Sequence, residues 1–330
     1  MSRTTTGPDH AEPPTSAALT LSLTGAYARQ GADAAVAVRL WAETTGVRLT
    51  LIDDGGSRSA AVRAYSEWLD RGDIDLLLGP YASGLTRAVG PLAREAGQLL
   101  WNHGGSADDL MQPGIASLLT PASRYFDGAV DEAVARSIDR MLVVQGDGPF
   151  ARAVAHGAAE RAEDQNLDVR LIAVDALSVE NRVAVLTAGR FEHDVEVVQR
   201  VRNWRHPPEL LAAVAAGIPA FGEELNAVEG VLGPVHWWPS AQKPEIGPAG
   251  TVFAEAFVDR AGRPPSYLAA QAAAAGYLAH TAHTRGPGAA NLTEWRTSTL
   301  LGHFELDADW RQVGHRMTTV EWRGGQMVPL

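Results

Sequence analysis

The sequence predicts an α/β protein built as two lobes of similar type. Short apolar strands alternate with helices at intervals of ~20–30 residues, the rhythm of parallel sheets with right-handed crossovers. The alternation stops near Leu119-Thr-Pro-Ala122 and then restarts, and 330 residues leave room for two domains. Successive strands end in small and hydroxyl residues, and open α/β sheets bind ligands at such strand ends.

The run from Leu19 to Gly25 reads as an alternating strand, followed by a loop with Gly25 and Gly31 at its ends and a helix over Ala32–Glu43. Arg48–Asp53 is a second short strand. Ser57 or Ser59 can cap the next helix, on which Val62, Tyr65, Trp68 and Leu69 share a face. Ile74–Leu78 is largely apolar, the pattern of a sheet covered on both faces. Helix Leu85–Glu95 and strand Gln98–Asn102 follow. Beyond the break come helix Tyr125–Ser137, strand Met141–Gln145, helix Ala151–Glu163 and strand Val169–Val174. Only Asp175–Arg182 separate this strand from the next, Val183–Thr187, too few for a parallel crossover of roughly a dozen residues. Either a crossover helix is missing there or the two strands are not parallel neighbours. Helix Asp194–Asn203 and strand Glu209–Val214 resume the pattern. Gly230–Pro239 is a strand leading into a turn, and helices Ala249–Ala261 and Tyr267–Thr284 flank the turn Gly262–Pro265. The last stretch alternates short strands with turns such as Arg323-Gly324-Gly325, an antiparallel finish.

Charge and composition exclude several classes of function. A formal net charge of −11 lacks the basic stripe a nucleic-acid binder needs and disfavours anionic membrane surfaces. With no cysteine, disulfides, thiolate metal sites, cysteine nucleophiles and a lipid-bearing cysteine are all excluded. Met1–Ser16 is polar and carries Pro13-Pro14, so it reads as a disordered leader and not as a secretory signal peptide. No later run reaches the ~18–20 apolar residues of a membrane span. As written, the chain is expected in the cytoplasm; removal of a leader would make it extracytoplasmic.

Catalytic and nucleotide-binding patterns are missing as well. Gly25…Gly31 is not G-x-G-x-x-G, there is no P-loop or G-x-S-x-G elbow, and the histidines never take an H-E-x-x-H spacing. Asp53-Asp54 stands where a dinucleotide enzyme holds its ribose, but without the glycine fingerprint it reads as the start of the next helix. His103, at a strand end, reads as a hydrogen-bonding wall. No enzyme activity, metal or cofactor is expected. What remains is a binding site. Ser83 and Ser106 lie at what should be adjacent strand ends, beside Gly84, Gly104 and Gly105, which let a ligand approach the backbone. Hydroxyls and free N–H groups at helix starts suit a carboxylate or an amide oxygen. Each serine alone reads as a helix cap; the pair on one sheet edge reads as a contact surface.

The segments LTGAYARQG, DDGGSRSAAVRAYSEWL, LLGPYASGLTRAV, WNHGGSADDL, LTAGRFEHDVEVVQ, EGVLGPVHWWP and PSYLAAQAAAAGYLAHTA, with the close LGHFELDADWRQVGHRMTTVEWRGGQMVP, run in order over Ala18–Pro329. In this they resemble the type I periplasmic binding proteins, and among them the branched-chain amino acid and amide-binding group. The resemblance implies two Rossmann-like lobes joined by three crossing strands, with a ligand enclosed in the cleft between them. The crossings are expected near Ala122, Trp237-Trp238 and Met317, giving lobe I as 17–121 plus 240–315 and lobe II as 122–239 plus 316–330.

The resemblance also implies roles. Ser83 and Ser106 match hydroxyl contacts to the ligand's carboxylate, Gly104 and Gly105 main-chain contacts, and Tyr267 an aromatic that packs on the ligand. Phe150 and Phe191 fall where the second lobe places pocket aromatics, and Gln30 takes another frequent aromatic position. One departure stands out. The acid that pairs with an amino acid's ammonium falls in Ala215-Ala216-Gly217-Ile218, where there is none. Glu192 or Asp194 could substitute. With Phe150, Phe191, Trp237 and Trp238 nearby, the pocket would favour an apolar or aromatic acid or an amide. The partners implied are this small solute and either the permease of an ABC importer or, in a cytoplasmic sensor of the amide-sensing type, a regulatory protein. An enzyme using the cleft is the third and least supported reading.

Overall fold

The computed structural model describes residues 14–178, 182–225, 227–285 and 289–330; most of the expected leader, residues 1–13, lies outside them. β1 (Ser16–Leu21) is buried throughout, and its side chains divide by parity. Ala17, Leu19 and Leu21 join one core and Ala18 another. β2 (Arg48–Asp53) and β3 (Leu76–Leu78) pair on either side of it, and β4 (Leu100–Asn102) and β5 (Ile115–Ser117) extend the sheet. All pairs are parallel, in the order β2-β1-β3-β4-β5.

Helices cover both faces. α2 (Arg58–Arg71) and α3 (Ser83–Glu95) bury Tyr65, Trp68, Leu85 and Val89 on one side. Ser57 caps α2, its hydroxyl accepting from the Ala60 N–H at 3.3 Å. On the other side, α1 (Ala28–Thr45) packs with two helices from far along the chain, α8 (Gly250–Ala261) and α9 (Tyr267–Thr284). Alanine-rich α9 approaches α1 so closely that a Cβ on Gly276 would lie 2.3 Å from the Trp41 ring. The antiparallel hairpin β11 (Arg296–Thr299) and β12 (Gly302–Glu305) adds Phe304 to this core.

The second sheet repeats the first. α4 (Asp127–Ala135), β6 (Arg140–Gln145), α5 (Pro149–Asp164), β7 (Asp168–Ile172), β8 (Ala184–Ala188), α6 (Phe191–Arg202), β9 (Leu210–Ala213), the short α7 (Ala220–Glu224) and β10 (Val231–Val235) follow in turn. Their parallel strands lie in the order β7-β6-β8-β9-β10, the same order as β2-β1-β3-β4-β5. The short 175–182 connection is thereby explained: β7 and β8 are not neighbours but flank β6. It is the counterpart of the β2–β3 connection, with a single 3₁₀ turn at Val174–Ala176 among its described residues in place of α2. Arg200 holds this segment by donating to the carbonyls of Val174 and Leu177. The antiparallel finish is also present: β13 (Thr318–Arg323) pairs with β10, and β14 (Gln326–Pro329) with β13.

Three segments run between the sheets, at 118–126, 236–249 and 306–317. They contain Ala122, Trp237 and Met317 respectively. Residues Thr120, His236 and His315, one from each segment, meet in the interior. The His315 Nε2 donates to the His236 carbonyl at 2.8 Å, its Nδ1 lies 2.6 Å from the Thr120 hydroxyl, and the two imidazoles stack at 5.4 Å.

Candidate ligand-binding site

The C-terminal ends of β1 to β4 form one wall of the cleft, and polar side chains set its loops. The acids after β2 do not open a helix, since Ser57 does that. Asp53 accepts from the N–H groups of Leu23, Thr24 and Gly55 and from the Thr24 hydroxyl, clamping the loop after β1. Partial burial opposes these bonds, but together they hold its carboxyl below the usual range. Fully buried Asp54 accepts from the hydroxyls of Thr20 at 2.7 Å and Ser22 at 2.6 Å, and from the Gly56 N–H. The loop then passes under α1 at Gly31, where a Cβ would stand 2.1 Å from the Ser22 carbonyl oxygen. Only glycine fits there.

The loops after β3 and β4 are interlocked in the same way. Asn102, with no exposed surface, accepts from the N–H groups of Gly104 and Gly105 and donates to the Gly105 carbonyl and the Ser117 hydroxyl. The N–H groups of both glycines are thus turned onto Asn102. The close neighbour that the missing side chain of Gly104 admits is the Tyr81 backbone, 2.6 Å from a Cβ there; at Gly105 it is the Leu110 side chain at 2.6 Å, with the Thr86 hydroxyl at 3.0 Å and the Ser83 backbone at 3.1 Å. Ala82 takes φ +83°, a left-handed conformation costing on the order of 1–3 kcal/mol for a residue with a side chain, and its N–H is held by the Gly104 carbonyl. This kink starts α3, whose first N–H groups lack intrahelical partners. The Ser83 hydroxyl accepts from the Ala107 N–H at 3.2 Å. Ser106, 6% exposed, is 2.8 Å from the Tyr125 hydroxyl.

Around these donors the rings gather. Tyr27 meets Tyr81 edge-on at 5.7 Å, Tyr125 meets Phe150 at 5.3 Å, and His236 lies between Tyr125 and Tyr267 at 5.1 and 5.6 Å. Four of the six tyrosines of the chain stand here, so the cleft is an aromatic cage with hydroxyl tips. Burial raises the Tyr81 phenol, and the phenols of Tyr267, Tyr125 and Tyr27 raise it further; burial pushes Tyr267 up to about 12. The same burial lowers His315 to about 4 and, with His315 beside it, holds His236 well below its ordinary value. Tyr27, Ala82, Gly84 and Arg87 also line an open groove of about 420 Å³ beside the strand ends. Across the cleft mouth, exposed Arg29 on α1 pairs with exposed Glu223 on α7 at 3.6 Å.

A family model described as periplasmic binding protein matches residues 14–187. The chain belongs to that family. Its fold is shared with solved structures of low sequence identity. A leucine-binding protein from Thermotoga maritima is 14% identical, with 96% of this chain and 97% of that one aligned at a TM-score of 0.74. The branched-chain amino acid transporter substrate-binding protein LivJ from Streptococcus pneumoniae, in complex with isoleucine, is 15% identical over 96% of this chain and all of its own, at 0.75. A solute-binding protein of an ABC transporter from R. palustris, in complex with benzoate, is 17% identical over 96% of each chain, at 0.73. Among the described residues no helix is long and apolar enough to cross a membrane.

Of the residues singled out in the sequence of this periplasmic binding protein, Ser106 and Phe150 meet at Tyr125, Tyr267 lies against His236, and Ser83 takes the Ala107 N–H. The N–H groups of Gly104 and Gly105, expected as main-chain contacts, are held by Asn102 instead. The others lie apart from Tyr125 and His236 or have other partners. Phe191 opens α6 and packs on Phe221 at 6.4 Å; Glu192 beside it is exposed. Gln30 is half-buried on the first turn of α1. Trp237 is buried in the first core, edge-on to Phe253 at 5.9 Å. Asp194 is fully buried, bonded to the Thr187 hydroxyl at 3.0 Å and the Ala215 N–H at 2.9 Å, and burial pushes its carboxyl up to about 7. Sequence reasoning missed Tyr27, Tyr81, Tyr125 and His236. Tyr27 and Tyr81 are rings set among small residues just after a strand, which is the signal that could have found them; Tyr125 and His236, flanked by bulky residues at the crossings, carry no such signal.

Proposed function

We propose that this protein closes on a small carboxylate- or amide-bearing solute with an apolar or aromatic body and presents it to the permease of an ABC transporter outside the cytoplasm. Its lobes would be 17–121 plus 240–315 and 122–239 plus 316–330. Family membership supports the binding role, and the state of the buried acids carries the ligand class. Among the described residues three carboxylates are buried. Asp33 is bonded to Arg263 and Ser266, Asp54 to Thr20, Ser22 and Gly56, and Asp194 to Thr187 and Ala215. None is left to pair with an amino acid's ammonium, and enclosing that cation without a partner costs several kcal/mol. The hydroxyls of Ser83 and Ser106 suit an acceptor oxygen, and the surrounding rings suit an apolar body. The benzoate bound by one structural neighbour is the closer guide to this chemistry than the isoleucine bound by another.

A thermal-shift panel of amino acids, their amides, and aromatic and short-chain acids tests this reading. A solute at ~100 times its Kd adds about 2.7 kcal/mol of stability. Benzoate-like acids should raise Tm, and the desamino analogue of isoleucine should raise it more than isoleucine itself. A shift produced by free amino acids alone would overturn the ligand class. Mass spectrometry of the bound compound after incubation should return it unchanged; turnover would overturn the binding role.

A further inference from the structure

Two short contacts join the second crossing to the ligand wall. The Tyr125 hydroxyl lies 2.8 Å from the Ser106 Oγ and 2.7 Å from the His236 Nε2. A phenol has one hydrogen, so this chain of bonds can run in only one direction at a time. If it runs from Ser106 towards His236, the serine hydrogen is spent on Tyr125 and the imidazole hydrogen sits on Nδ1. That nitrogen is buried in a residue 2% exposed and has no partner among the described residues. A buried N–H without an acceptor is among the rarest features of folded proteins. If the chain runs the other way, Nδ1 is a bare acceptor, the less costly orphan.

The neighbouring ring has its own fixed tautomer. His315 Nε2 faces the His236 carbonyl, which can only accept, so His315 carries its hydrogen on Nε2 and takes the Thr120 hydroxyl at Nδ1. The groups facing the His236 ring are His315, Tyr125 and Tyr267, and none is a carboxylate, so nothing there favours a second proton on it. Both rings are neutral.

We propose that His236 and Tyr125 are positioning residues for the solute: His236 Nε2–H donates to Tyr125, Tyr125 donates to Ser106, and Ser106 is left with its hydrogen for an acceptor oxygen of the ligand. The role at the ligand rests on the reading of the cleft given above; the polarity of the relay does not. Because His236 also accepts from His315, the donor offered to the ligand is fixed by residues of the chain segments that join the lobes.

Two measurements on the full chain test it. Long-range ¹⁵N–¹H correlation of the imidazoles should find His236 as the neutral Nε2–H tautomer, and Tyr125→Phe should turn it into a mixture. A dominant Nδ1–H tautomer in the wild type overturns the relay whether or not any solute binds. Calorimetric titration with benzoate and with the desamino analogue of isoleucine gives the second readout. Tyr125→Phe and His236→Ala should each weaken binding about tenfold, a lost hydrogen bond's worth. The double variant should be no worse than either, and His236→Gln, whose amide N–H can replace Nε2–H, should recover most of the affinity. Additive losses, or no recovery with Gln, would show a merely structural role and overturn the proposal. If the wild type binds neither probe, the ligand reading fails, and the tautomer result still decides the relay.

Discussion

Burial acts on imidazoles beside β4 and in the crossings, whose affinity for protons it lowers, and on a carboxylate at the ends of β8 and β9, whose affinity for a proton it raises. Asn102 knits the loop after β4 with an amide, and His103, 1% exposed, is pushed down to about 4 by burial, against hydrogen bonds to the Gly79 main chain. His315 in the third crossing is lowered similarly. In the second lobe, Asp194 ties α6 to the ends of β8 and β9, and burial raises it against the bonds it accepts. One strand order therefore carries two opposite responses to acid. The two imidazoles stay neutral down to about pH 4, while Asp194 is committed to holding the loops of its own sheet.

The largest test of this contrast is pH. Histidines with lowered native pKa values bind fewer protons folded than unfolded, so their contribution is present above about 6.5 and lost as pH falls through about 4. Each of His103 and His315 accounts for about 3 kcal/mol at full protonation. Asp194 has the opposite sign: its raised native value means the folded form holds the extra proton, so stability falls as pH rises from about 4 through about 7. Hydrogen exchange at pH 5 against pH 7 should find amides of the first sheet less protected and those around β8 and β9 more protected. Both sheets moving the same way would break the comparison. Asp194→Asn should remove the second lobe's response, seen as a flatter stability profile between pH 4 and 7 in urea titrations.

Next in size is Asn102→Ala, which strands two N–H groups and a carbonyl in the interior. It should cost about 3 kcal/mol in urea unfolding and weaken solute binding with it. A cost below about 1 kcal/mol would mean that the wall does not depend on this residue. Phe150→Leu in the second lobe should change stability by no more than about 1 kcal/mol yet lower benzoate affinity several-fold, because half-buried Phe150 packs against Tyr125 at the cage. The smallest effect is expected at the cleft mouth. Arg29→Ala should change stability by about 0.5 kcal/mol or less, since both partners of the Arg29–Glu223 pair are largely exposed, and 0.5 M salt should erase even that.

The strand and helix rhythm was legible because parity of burial is written into each short segment: Met141 and Val143 go to one core, Leu142 and Val144 to the other. The restart after Ala122 was legible for the same reason. The short connection after β7 could be posed as a question but not answered, since strand order depends on which segments pair in space. The polar wall was half legible. Ser83 and Ser106 are marked by adjacent glycines, but the partner of Asp54 is the Thr20 hydroxyl of another strand and that of Tyr125 is His236, 111 residues on. Asp194 shows the limit most clearly. A helix-opening acid looks available to a ligand in the sequence, and only its burial against Thr187 and Ala215 withdraws it.

The order in which the sheets are completed has a bearing on synthesis. The core behind β1 draws on Leu19 at one end and on Phe304 and Leu306 at the other, so the first segment to emerge must wait, one face uncovered, for α9 and the last hairpin. One core layer of the second sheet is contiguous, from Ala122 to Leu232, and can close as soon as β10 has left the ribosome. Its opposite layer waits for Trp322, whose indole N–H reaches the Ala216 carbonyl at 2.8 Å. A nascent chain should therefore fold from its middle outwards, and limited proteolysis of stalled chains ending just past β10 should find 122–232 resistant while residues 14–117 are still cut.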